Sequence, residues 1–62
     1  MTATQLLAAR KRLGLTQKGL AEALGITISA IWRMEKGQRT IETRTELAIK
    51  YLLAIQFGMF AD

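Results

Sequence analysis

The chain has 62 residues, without cysteine, histidine or proline, and nine Lys and Arg against five Asp and Glu give it a net charge of +4. That length suits one domain, 1–62, with a small core, and the missing cysteine and histidine exclude disulfides and the usual zinc sites. Half the residues are apolar, which excludes a disordered tail, and the positive balance suits a polyanionic partner.

Four glycines punctuate the chain: Gly14, Gly25, Gly37 and Gly58 each follow a stretch whose apolar residues recur at three and four, the helical period. No stretch alternates as a strand does, so an all-α fold is expected. The first helix runs from about Thr4 to Leu13. Thr2 with Gln5 three residues later resembles a capping box, and Leu6, Leu7, Arg10 and Leu13 lie broadly on one side. The second starts after Thr16, a good N-cap, and covers Gln17 to Leu24 with Leu20, Ala21 and Leu24 inward. Gly19 lies inside it, costs about 1 kcal/mol relative to alanine, and has no explanation at this level.

The third helix is capped by Thr27 and runs from Ile28 to Lys36; the fourth begins near Glu42 and continues to about Phe57. On the fourth, Leu47, Ala48, Tyr51 and Ile55 make one stripe for the core. Ile49, Leu52, Leu53 and Phe60 are left over on other faces, which makes them the candidate surface of a homodimer, unless a short fifth turn in "GMFAD" folds back over part of it. The stretch from Leu47 to Ala61 contains Lys50 and Gln56 and falls short of the ~20 residues of a membrane span. The opening "MTATQLLAARKRLG" puts its positive charges after its apolar residues, the reverse of a signal peptide, so a cytoplasmic protein is expected.

Only "GIT", Gly25 to Thr27, joins the second and third helices. So short a turn with glycine leading makes two helices cross steeply, as in a helix-turn-helix spanning about residues 17–36. That geometry needs particular residues: Leu20, Leu24, Ile31 and Met34 to close the angle, a small Ala21 where the helices approach, Gly25 to turn, and Ile26 to plug the corner. Each position holds the type required.

Through "LGLTQKGLAEALGITISAIWRMEKGQRT", Leu13 to Thr40, the chain resembles the Cro and lambda-repressor family of helix-turn-helix domains, the XRE family. The resemblance implies a compact bundle of four or five helices that binds double-stranded DNA, usually as a homodimer, to regulate transcription in bacteria or phage. By position it implies that Gln17 contacts a phosphate, and that Thr27, Ile28, Ser29, Trp32 and Arg33 form the face entering the major groove. Arg33 also has a case of its own, since its fork can take guanine O6 and N7 together; a plain phosphate contact is the alternative. Lys36, Arg39 and Arg44 flank the third helix as phosphate candidates, with Lys18 beside them. Glu35 would repel phosphates if bare. The family often pairs this glutamate with an arginine of the first helix, and Arg10 stands at the matching position, which implies a structural Arg10–Glu35 salt bridge.

The chain departs from the family's pattern at Ile28, Ser29 and Trp32, where relatives usually carry polar or basic residues. Ile28 and Trp32 have three open roles: contact with thymine methyls in the groove, a protein-binding patch, or, for Trp32, packing over Lys36 or the loop after Gly37. The rival to DNA binding is accordingly a protein-interaction module on the same fold using Ile28 and Trp32. The basic cluster of Arg33, Lys36, Arg39 and Arg44 favours DNA, because an apolar protein interface tends to exclude it. Catalysis is not expected. Ser29 is the one serine, Asp62 the one aspartate, and no phosphate loop, metal-ligand spacing, cofactor motif or small-molecule site stands out.

Overall fold

The computed structural model describes residues 1–58 and contains four helices: α1, Ala3–Arg12; α2, Gln17–Leu24; α3, Ile28–Glu35; and α4, Thr43–Gln56. No strand occurs among the described residues, so the expected all-α bundle is found. Phe60 and the rest of the expected fifth turn, residues 59–62, lie outside the described residues.

Threonines set the starts of the first three helices. Thr2 accepts from the Gln5 N–H while the Gln5 side chain accepts from the Thr2 N–H, a complete capping box. Thr16 accepts from the Gly19 N–H at 3.0 Å and Thr27 from the Ala30 N–H at 3.2 Å. Each such cap contributes about 1 kcal/mol. Gly19 now has a physical account: a Cβ there would stand 3.3 Å from Thr16 Oγ1 and 3.4 Å from a Leu15 methyl, so a side chain would press on the cap that opens α2 by a few tenths of an ångström. Gly25 ends α2 in the left-handed region, φ 71°, which lets the Ile26 N–H reach back to the Ala21 carbonyl at 3.0 Å and turns the chain into α3 within three residues.

Leu6, Leu20, Ile31 and Ile49, one from each helix, are fully buried and meet in a single core. Burial of each contributes about 1.5–3 kcal/mol. Ala9, Leu13, Ala21, Ala30 and Met34 complete it, with Leu24, Leu52 and Leu53 packed at its edge. α3 packs against both α1 and α2, and α4 packs across α1 and α2.

Two expectations are corrected. α4 turns the opposite way round from the one its pattern suggests: Ile49 is fully buried and Leu52 and Leu53 are partly buried, whereas Leu47, Tyr51 and Ile55 are exposed. Ile49 therefore belongs to the core and cannot serve a dimer surface, and Leu52 and Leu53 are largely spent on the same packing. The second correction is Ile26, which remains 36% exposed instead of plugging the corner. Ala21 and Ala30 are small enough for the helices to approach without it, and Ile26 lines an open cavity of about 400 Å³ with Leu24, Met34, Arg39 and Arg44.

Candidate nucleic-acid interface

α3 is amphipathic in a way that divides its residues between two tasks. Ala30, Ile31 and Met34 are buried against α1 and α2, which fixes the rotation of the helix about its axis. With that side held, Ile28, Ser29, Trp32 and Arg33 face outward together, Ile28 50% and Trp32 44% exposed. Thr27 stands at the start of the same face. Its hydroxyl oxygen is used by the cap, which leaves its O–H free to donate outward.

Cations gather at the other end of α3. Lys36 Nζ lies 5.6 Å from the centroid of the Trp32 ring, within the range of a cation–π contact. Trp32 stays exposed despite it, so the tryptophan is not consumed by packing. Arg39 follows in the exposed loop, and Arg44, on the first turn of α4, borders the same open cavity as Arg39 and pairs with Glu42 at 3.3 Å. Lys18 is exposed on the first turn of α2, on a different element from this cluster.

Beneath the face, one polar network ties three helices together. Arg10 Nε donates to Glu35 Oε2 at 2.6 Å and Arg10 Nη2 to Glu35 Oε1 at 3.2 Å, while Nη1 donates to the Leu15 carbonyl at 3.1 Å. Gln17 Nε2 donates to Glu35 Oε1 at 3.0 Å. The two charged side chains are 15% and 7% exposed, so the carboxylate at the end of α3 is turned inward and neutralised instead of facing outward. Burial raises the Glu35 carboxyl, but the hydrogen bonds from Arg10 and Gln17, with the charges of Arg10 and Lys11, outweigh it and hold the group below its ordinary value. A guanidinium fork across both carboxylate oxygens fixes direction as well as charge, and it locks α3 to α1.

The structure thus groups Thr27, Ile28, Ser29, Trp32 and Arg33 on one exposed face, with Lys36 beside it, and brings Arg10 to Glu35. Gln17 is half-buried and spends one amide N–H on Glu35, which leaves one N–H for an outside partner. The link from Gln17 to Glu35 went unread in the sequence, because residues 18 apart on different helices leave no spacing signal.

A family model described as Helix-turn-helix matches residues 6–56. No curated protein and no solved structure matches the chain.

Proposed function

The chain belongs to the helix-turn-helix family of the Cro and lambda-repressor type, the XRE family, and on that premise we propose that it recognises a specific double-stranded DNA sequence as a bacterial or phage regulator of transcription. The family is one of DNA-binding regulatory domains, not of enzymes. The observation that carries the finer reading is the division of α3: three buried residues hold the helix while Ile28, Ser29, Trp32 and Arg33 project from it beside Lys36.

In this reading α3 lies in the major groove. Arg33 donates both arms of its fork to a guanine, Ile28 and the Trp32 ring rest on thymine methyls, and Thr27 and Ser29 donate or accept at base edges. Lys36 and Arg39 meet phosphates, with Lys18 and the second N–H of Gln17 at the flank. Two copies, each with its α3 in the groove, set half-sites one turn or ~34–36 Å apart. The cation over Trp32 argues against an apolar protein interface at the same place, since docking there would bury Lys36 with it.

Selection of bound sequences from random duplexes at moderate salt tests this. A recovered consensus supplies the site, and failure to enrich any sequence with the folded chain sinks the reading in favour of the interaction module. On the recovered site, Arg33→Ala is expected to weaken binding by ~1–3 kcal/mol and to relax preference at one base pair. An unchanged preference would reduce Arg33 to a phosphate contact. Replacing each thymine of the site in turn by uracil removes one methyl, and affinity should drop at the positions under Ile28 and Trp32; equal affinity throughout would remove the methyl contacts.

A further inference from the structure

Between the α2–α3 turn and the start of α4 lies an open cavity of about 400 Å³, within the ~300–1,000 Å³ of small-molecule sites. Leu24, Ile26, Met34 and Ala48 supply its apolar wall, and Arg39, Thr40 and Thr45 stand beside them. Ile26 is 36% exposed, and that apolar surface faces a concave place instead of a flat one. The two arginines of the wall differ in what they already do. Arg44 is paired with Glu42 at 3.3 Å, whereas Arg39 has no hydrogen bond or ion pair among the described residues, and neither have the hydroxyls of Thr40 and Thr45. An apolar wall thus meets one unengaged guanidinium and two unengaged hydroxyls.

We propose that this cavity binds a free aliphatic carboxylic acid of medium chain length, its chain on Leu24, Ile26, Met34 and Ala48 and its carboxylate on Arg39. The head follows from the guanidinium, whose fork offers two parallel N–H donors to the two oxygens of a carboxylate, while Thr40 and Thr45 can donate from the side. The tail follows from the wall. No aromatic ring borders the cavity among the described residues, and the thioether of Met34 adapts to a flexible chain. A cationic ligand fits less well, because Glu42, the one carboxylate of the wall, is already taken by Arg44. A bare anion would leave the apolar wall in water. The consequence for function rests on the DNA-binding reading: Arg39 is there assigned to a phosphate, and one guanidinium cannot serve both. The bound acid therefore competes with DNA for one cation of each copy.

Octanoate, kept below the concentration at which it forms micelles, is the probe; octanol lacks its charge and acetate its chain. In an NMR titration of the full chain without DNA, octanoate should shift the amide signals of Gly25, Ile26, Thr40 and Thr45 saturably. Those of Leu47, Tyr51 and Ile55, on the exposed stripe of α4, should stay in place. Octanol and acetate should each bind at least about tenfold more weakly. Arg39→Gln, in an exposed loop, should weaken octanoate by about tenfold with an unchanged melting curve, bringing it level with octanol, whereas Ile26→Ser should weaken both. Absence of a saturable shift, shifts that follow the α4 stripe, or octanoate binding undiminished in Arg39→Gln overturns the proposal. With duplex DNA present, saturating octanoate should lower the salt slope of each copy from about −2.7 to about −1.8, and should lower it no further in Arg39→Gln. Octanoate that fills the cavity without changing the slope overturns the competition. Octanoate bound by a chain that selects no DNA sequence upholds the site and sinks the DNA reading instead.

Discussion

Replacing Arg10 by alanine is expected to lower stability by about 3 kcal/mol, because it strands a largely buried carboxylate without its partner. In a domain of this size that corresponds to a fall in melting temperature of roughly 12–24 °C. Arg10→Lys should recover less than half of the loss, since one ammonium cannot span both oxygens of Glu35 and the Leu15 carbonyl together. Adding Glu35→Gln to Arg10→Ala should restore part of it, because the stranded charge is gone. A melting shift below about 4 °C for Arg10→Ala would mean that the pair behaves as a solvated surface contact, contrary to its burial.

The same residue sets a pH dependence with a defined sign. Glu35 is held below its ordinary value in the folded chain, so its stabilisation is complete above the unfolded carboxyl value and is lost as pH falls through the lower, folded one. In Arg10→Ala the hydrogen bonds and charge of the guanidinium are gone while burial stays, and burial favours the protonated form. Only the Gln17 hydrogen bond and the Lys11 charge then oppose burial, so the contribution of Glu35 shrinks: acidification through the carboxylate range weakens the variant less than the wild type. Chemical denaturation of both chains from neutral pH to well below the ordinary carboxyl value compares the two slopes.

Residues near one another in the chain announced most of the architecture. Thr2, Thr16 and Thr27 cap through the N–H three residues on, a contact that a tripeptide of spacing already encodes, and the left-handed Gly25 is dictated by the shortness of the turn it makes. The buried side of α3 could be read as well, because Ile31 and Met34 stand a turn apart at the positions where the steep crossing of α2 and α3 needs apolar residues. α4 could not be read this way. Its apolar residues run round the whole circumference, so periodicity gives no preferred face, and only the crossing of α4 over α1 and α2 selects Ile49 over Leu47. Ile26 failed for a related reason: whether a corner residue plugs or protrudes depends on how closely Ala21 and Ala30 let the helices approach, a tertiary distance. On the candidate interface, the outward residues follow from knowing which side of α3 is buried, but the capture of Gln17 by Glu35 joins helices that sequence spacing does not relate.

The affinity for duplex DNA should fall steeply with salt, and the size of the fall counts the copies engaged. Of the exposed cations of each chain, Lys18, Lys36 and Arg39 are assigned to phosphates, and neutralising three phosphates gives a slope of log affinity against log salt of about −2.7. Between 50 and 200 mM salt, one bound copy then loses roughly 40-fold, while two copies on adjacent half-sites double the slope and lose on the order of 2,000-fold. Arg39→Gln should reduce the slope by about 1 per copy and leave the selected sequence unchanged, which separates it from Arg33, whose loss should alter the sequence. A response that is flat in salt would exclude phosphate contact by these cations, and with it any use of α3 in a DNA groove. A steep response with no sequence selected would keep the cations and remove the base-reading roles of Ile28, Trp32 and Arg33.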